Sequence, residues 1–110
     1  MDVTRILVAN DPTSYRQAIA AALRELRPNV EVIETEDGDL NREVSRSRPG
    51  LVLCSRVTEP VKDLVPNWIE LYPDQSSRSV VSIAGELSSF DDITLSDLLS
   101  FVDQTEEPVR

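Results

Sequence analysis

Short blocks of aliphatic residues recur along the first half of the chain, separated by polar segments. Residues 5–10 and 51–55 each contain a continuous apolar run with a polar residue at one or both ends, and residues 30–35 are enriched in β-branched side chains. Such segments are typical of strands in a parallel sheet, which is covered on both of its faces. The pattern therefore predicts one strand in each of these segments.

Between these blocks, apolar residues recur at the spacing of one face of a helix, which is called a stripe here. The apolar residues of the first stripe recur at helical spacing: Tyr15, Ile19, Ala22, Leu23 and Leu26. We expect Asp11 or Thr13 to cap this helix and Pro28 to end it. A weaker stripe predicts a second helix over residues 40–48. Strands that alternate with helices in this way predict a right-handed, parallel α/β sheet.

Two interpretations fit the segment after the third strand. Its apolar residues have helical spacing, but Pro66 forces the preceding residue out of the helical region. Residues 68–72 and 78–85 instead have the composition of strands, and residues 73–76 supply the proline and aspartate of a tight turn. We therefore predict a β-hairpin here rather than a helix over residues 66–72.

The last predicted element is a helix with a capping box. Thr94 is followed three residues later by Asp97, and the apolar residues after Thr94 have helical spacing: Leu95, Leu98, Leu99 and Val102. From residue 104 onward the chain is predicted to be a flexible tail. Residues 1–103 then form one domain, which is an ordinary size for a single core.

The charge of the chain limits its partners. It has 11 basic and 20 acidic residues, a formal net charge of −9. Nucleic-acid binding through phosphates requires a positive surface, and acidic membranes would repel this chain. The apolar runs are also shorter than the roughly 18 residues that span a bilayer. We expect a cytoplasmic protein that binds neither nucleic acid nor membrane.

Several common active sites are excluded by residues that the chain lacks. It has no histidine, so it cannot form a Ser-His-Asp site or a histidine zinc site. Its single cysteine, Cys54, cannot form an intramolecular disulfide and is expected to be a buried apolar residue. Its three glycines are too widely spaced for a phosphate-binding loop. We expect no enzymatic activity, no cofactor and no bound metal.

The residues that follow the predicted strands lie at the edge of the sheet where ligands of parallel α/β proteins bind. Asn10 and Asp11 follow the first strand, Ser55 the third, and Ala84 the last. In residues 5–58, the motifs ILVAND, ETEDGDL and RPGLVLCS resemble the receiver domain of two-component response regulators. The resemblance covers about half of the chain. With the hairpin, it predicts a three-layer, flavodoxin-like α/β fold: a parallel sheet, a C-terminal antiparallel β-hairpin and a final helix.

The resemblance also implies a set of functional positions, most of which are changed here. A working receiver has an acidic pair that binds Mg²⁺, an aspartate that accepts a phosphoryl group, a hydroxyl residue and a lysine. The pair corresponds to Asn10 and Asp11, the acceptor to Ser55 and the hydroxyl residue to Ala84, while the lysine has no counterpart. A serine without a base is a poor phosphoryl acceptor. These four residues are therefore predicted to form a degenerate receiver pocket that is not phosphorylated.

Three functional hypotheses follow. The first is a non-catalytic, receiver-like signalling or scaffold module that acts through contacts with an unidentified protein. The second is a small-molecule or anion-binding domain that uses the strand-end crevice, with Asn10, Ser55, Arg56 and the helix N-terminus. The third is a homo-oligomer, such as a homodimer, whose assembly is its function. Four residues are candidates for an interface: Arg42, Arg46, Trp68 and Tyr72.

Overall fold

The computed structural model of the chain describes residues 4–71 and 78–105, which form six strands, four α-helices and a 3₁₀ turn. In chain order these elements are β1 (Arg5–Ala9), α1 (Thr13–Leu26), β2 (Glu31–Glu34), the 3₁₀ turn (Asp37–Asp39), α2 (Leu40–Ser47), β3 (Leu51–Cys54), α3 (Glu59–Leu64), β4 (Trp68–Glu70), β5 (Arg78–Ile83), β6 (Glu86–Asp91) and α4 (Leu95–Thr105). The predicted α/β class is confirmed.

The strands form one mixed sheet in the order β2-β1-β3-β4-β5-β6. The first four strands in this order are parallel, while β4 pairs with β5 and β5 pairs with β6 in antiparallel fashion. The predicted hairpin between β4 and β5 is therefore present. However, β4 also pairs in parallel with β3, so the parallel part has four strands rather than the predicted three.

The fourth parallel strand requires a crossover, which α3 supplies. The hydroxyl of Thr58 accepts the Val61 N–H and caps this helix, and Pro60 lies in its first turn. Val65 is extended, as expected for a residue before a proline. The prediction that Pro66 prevents a long helix was correct, but a helix of six residues fits before Val65.

The sixth strand was not predicted, because its sequence has no strand pattern. Its only apolar residues, Leu87 and Phe90, are three positions apart, so apolar and polar side chains do not alternate along it. Every residue of β6 is exposed. A two-residue turn joins it to β5, with Ala84 at φ 54° and Gly85 at φ 87°. Turns with two positive φ angles match the twist of paired strands and make tight hairpins.

The core contains two apolar clusters. One combines strand residues with residues of α1 and α4: Ile6, Val8, Leu51, Leu53, Ile69 and Val81 with Ile19, Leu23, Leu98 and Val102. The other combines strand residues with residues of α2 and α3: Leu7, Ala9, Val52, Cys54 and Trp68 with Leu40, Val44 and Val61. Alternate residues of β1 and β3 contribute to different clusters, which explains their continuous apolar sequences. Each fully buried aliphatic side chain contributes about 1.5–3 kcal/mol to folding.

The helix ends agree with the predictions in part. Neither Asp11 nor Thr13 caps α1, because that helix begins with Pro12 at its N-cap position and has no side-chain cap. The capping box of α4 is confirmed: Asp97 accepts the Thr94 N–H, and the Thr94 hydroxyl accepts the Asp97 N–H. Gln104 and Thr105, predicted to belong to the tail, lie within α4. The predicted turn at residues 73–76 lies outside the described residues.

Candidate functional site

Asn10, Asp11 and Ser55 meet at the carboxyl edge of the parallel strands. β1 and β3 are neighbours in parallel register, with Ala9 opposite Cys54, so the residues that follow them are adjacent. The backbone N–H of Asp11 donates a hydrogen bond to the Ser55 Oγ at 2.9 Å. The Asp11–Pro12 peptide bond beside it is cis. The Ser55 hydroxyl therefore links the ends of β1 and β3.

Asn10 is completely buried, and its carboxamide has no hydrogen-bond partner among residues 4–71 and 78–105. Its side chain is 0% exposed, and neither Nδ2 nor Oδ1 bonds to another group. An unpaired polar group in a protein interior costs about 1–3 kcal/mol. The position thus carries an energetic cost that an apolar side chain of similar size would avoid.

Arg16 of α1 is a charged residue buried beside this edge. Its residue exposure is only 7%. Its Nη1 lies 3.4 Å from the Asn10 carbonyl oxygen and 3.7 Å from Asp11 Oδ1, and its Nη2 donates to the Thr13 hydroxyl at 3.2 Å. The Asp11 carboxylate thus faces an internal cation. Helical periodicity could not reveal this, because the side chain reaches back past the start of its own helix.

Glu70 supplies a second carboxylate at the same edge, at the end of β4. Its Oε2 accepts the backbone N–H of Val57 at 2.9 Å, and so holds the loop that follows Ser55. The sequence had not identified Glu70 as a site residue, because β4 was assigned only to the hairpin. Its pairing with β3 is what brings Glu70 to the carboxyl edge of the parallel strands.

Ala84 does not belong to this site, and its predicted place in the pocket is wrong. β5 is antiparallel to β4, so the residue that follows β5 lies at the amino edge of the parallel strands. There the Ala84 N–H donates to Asn67 Oδ1 at 2.8 Å, and Asn67 Nδ2 donates to the Gly50 carbonyl at 3.1 Å. The prediction failed because local patterns contain no signal for the direction of β4 relative to β3, and the parallel pairing of these two strands reverses β5.

The chemistry available to Ser55 is limited by its surroundings. Its hydroxyl oxygen accepts a hydrogen bond, and the chain has no histidine to remove its proton. Lys62, the only lysine of the chain, lies on α3, where its Nζ is 3.6 Å from Glu59 Oε2. Arg56 is exposed next to Ser55. The polar groups that surround Ser55 are thus suited to hydrogen bonding rather than to nucleophile activation.

The predicted interface residues are distributed over different environments. Arg42 and Arg46 are exposed on α2, where they pair with Asp39 at 2.9 Å and Glu43 at 3.3 Å. Trp68 is only 6% exposed and packs in the cluster with α2 and α3. Tyr72 lies outside the described residues. The two arginines are therefore available at the surface, whereas Trp68 is mainly a core residue.

Comparisons with known proteins found no match for the chain. The chain matches no protein-family model, no curated protein and no solved structure. Within residues 4–71 and 78–105, none of the helices has the length and apolar character needed to cross a bilayer. Evidence for the function therefore comes from the site and the surface of the chain.

Proposed function

We propose that this chain is a non-catalytic, receiver-like module that acts through protein contacts and is not phosphorylated. In this proposal the fold is a three-layer, flavodoxin-like sandwich, with α1 and α4 on one face of the sheet and α2 and α3 on the other. The strand order β2-β1-β3-β4 and the two apolar clusters support this arrangement. Beyond β4, the sheet continues with the antiparallel strands β5 and β6 in place of further parallel strands.

The observation that carries the proposal is the hydrogen bond between Asp11 and Ser55. The oxygen at the position of a receiver's phosphoryl acceptor accepts the Asp11 N–H at 2.9 Å. A carboxylate acceptor is already nucleophilic, whereas this hydroxyl would need a base. In addition, the receiver's acidic pair is reduced here to Asp11 beside the buried amide of Asn10, which is a poor Mg²⁺ site. The carboxylates at this edge are also engaged, since Asp11 faces the guanidinium of Arg16 at 3.7 Å and Glu70 accepts the Val57 N–H. The contacts at this edge thus favour a structural role for Ser55.

The proposal is tested by incubation of the full chain with acetyl phosphate and Mg²⁺, followed by intact-mass measurement. We expect no stoichiometric phosphoryl adduct on the wild-type chain. Ser55→Ala serves as the matched control for any trace adduct, and Asn10→Asp combined with Ser55→Asp restores two of the missing carboxylates. A stoichiometric wild-type adduct that disappears in Ser55→Ala would disprove the proposal.

One observation favours a second candidate function, the binding of a small polar molecule or anion at the same edge. The carboxamide of Asn10 is buried without a partner near the N-terminus of α1, where backbone N–H groups favour anions. A thermal-shift screen with inorganic phosphate and nucleotides addresses this candidate, because a bound ligand stabilises the folded state. Stabilisation that is lost in Asn10→Leu would support it, and no shift with any compound would reject it.

A further inference from the structure

The strand β6 forms an open edge of the sheet. It is the last strand in the sheet order, and all six of its residues are exposed. Leu87 is 66% exposed and Phe90 is 39% exposed. Proteins commonly protect long edge strands with lysine, proline or a covering loop. Glu86–Asp91 contains neither lysine nor proline, and its charged side chains are confined to its two ends, so the middle of the strand has none of these protecting residues.

The hairpin geometry determines which backbone groups face the open side. A two-residue turn is closed by a pair that exchanges both backbone hydrogen bonds, here Ile83 with Glu86. Hydrogen-bonded and non-hydrogen-bonded pairs then alternate along the ladder. The N–H and C=O groups of Leu87, Ser89 and Asp91 therefore point away from β5. No strand among the described residues pairs with them.

Both faces next to this edge present apolar contacts to an added strand. On one face, Leu87 borders a groove of about 460 Å³ that Trp68 and Val80 also line. On the other face, Phe90 contacts Phe101 of α4, with their ring centroids 5.4 Å apart. An extended peptide paired with β6 could therefore bury apolar side chains on either side of its backbone.

Charge distinguishes between two candidate occupants, a second copy of this chain and a basic segment. The ends of β6 carry exposed acidic residues, with Glu86 at one end and Asp91 and Asp92 at the other. Asp91 already lies 3.8 Å from the Arg78 guanidinium of β5, so attraction of a partner rests mainly on Glu86 and Asp92. Two copies paired antiparallel would place Glu86 of one copy beside or opposite Asp91 or Asp92 of the other, and like charges across a ladder are destabilising. The net charge of −9 adds to this repulsion. A basic segment would instead be attracted.

We propose that β6 is a docking edge for an extended segment of a partner protein, which adds to the sheet as a further strand. The segment has apolar or β-branched residues at alternate positions and a lysine or arginine near the acidic ends of β6. Backbone hydrogen bonds to Leu87, Ser89 and Asp91 supply affinity, and the charges select the partner. This inference rests on the proposed protein-binding function and identifies the surface that performs it.

The test is a selection of displayed random peptides of about twelve residues, long enough to span an ordinary strand, against the full chain. We expect the enriched peptides to be basic and rich in β-branched residues. Their affinity should fall about tenfold or more in Ser89→Pro, which removes an outward N–H, and should be retained in the matched control Ser89→Ala. Glu86→Gln combined with Asp92→Asn should weaken binding about fivefold, as expected from the loss of charge attraction.

A measurement on the unmodified chain guards against misfolding of the proline variant. A bound peptide should slow hydrogen exchange at the amides of Leu87 and Ser89, because both would become paired. Absence of any enriched peptide, or peptides that protect other amides, would overturn the inference. So would concentration-dependent dimers that Ser89→Pro abolishes, because the occupant would then be a second copy. Peptides that bind elsewhere would contradict the role of β6 but not the proposed protein-binding function. Whether Ser55 is phosphorylated is tested separately, by the phosphoryl-adduct experiment.

Discussion

Asn10 and Asn67 show how differently the same side chain can be used at the two ends of the sheet. The Asn10 carboxamide is buried and unpartnered at the carboxyl edge. The Asn67 carboxamide accepts the Ala84 N–H and donates to the Gly50 carbonyl at the amino edge, so it joins three loops. A buried polar group is costly when unpaired and stabilising when both of its ends are used. The two residues should therefore respond in opposite ways to the same substitution.

We expect Asn10→Leu to raise the free energy of unfolding by about 1–3 kcal/mol, because leucine has a similar size and no unpaired polar atoms. Asn67→Leu should lower it by a similar amount, about 1–3 kcal/mol, because two bonded backbone groups lose their partner. Urea unfolding of both variants and the wild type measures the difference. Destabilisation of both variants would indicate that the Asn10 carboxamide has a partner in solution.

The helices α1 and α4 are joined by a bidentate ion pair at their C-terminal ends. The Arg27 guanidinium donates to both carboxylate oxygens of Asp103, with Nε at 2.7 Å from Oδ1 and Nη2 at 2.8 Å from Oδ2. The hydrogen bond from Arg27 and its positive charge lower the pKa of Asp103 below the ordinary value, although partial burial opposes the shift. The charged carboxylate is therefore favoured in the folded state.

We expect Asp103→Asn to lower the unfolding temperature at neutral pH and to have little effect in strong acid. A carboxyl with a lowered folded-state pKa stabilises the protein above its unfolded pKa, and this contribution is lost as the pH falls through the folded value. The loss at neutral pH should be about 0.5 kcal/mol, because both side chains are partly exposed. Thermal unfolding at neutral pH and well below pH 3.8 tests this.

Glu25→Gln is the matched control for this prediction, since Glu25 is an exposed carboxylate on α1. Its effect on the unfolding temperature should not reproduce the pH dependence of Asp103→Asn. An Asp103→Asn effect of equal size at both pH values would show that the substitution acts through something other than the carboxylate charge.

The molecule as a whole carries far more negative than positive charge. Its formal net charge is −9, spread over a chain of 110 residues. Net charge of one sign destabilises the compact state through self-repulsion, and salt screens that repulsion. The ion pairs described for α2 and for the α1–α4 contact offset only part of it. Ionic strength should therefore have a measurable effect on stability.

We expect the unfolding temperature to rise by about 5 °C between about 0.01 M and 1 M NaCl, as the Debye length falls from about 30 Å to about 3 Å. The triple variant Glu25→Gln, Glu36→Gln and Asp63→Asn, which neutralises three exposed carboxylates, should show a smaller rise. Differential scanning calorimetry over this range measures both slopes. A salt response that is equal in the two proteins would argue against charge repulsion as its cause.

The sequence alone determined the alternation of strands and helices, because burial on two faces, helical periodicity and capping are local patterns. It thus predicted β1, α1, β2, α2, β3 and α4, and it placed Asn10 beside Ser55. Its prediction of parallel strands followed by an antiparallel hairpin was also correct, but only the tertiary structure decided the direction of β4 relative to β3 and the exposure of individual side chains. In the folded chain Ala84 lies at the amino edge, Glu70 lies at the carboxyl edge and Arg16 is buried. The chain also has a sixth strand, β6. These features depend on contacts between residues far apart in the chain, for which a local pattern contains no information.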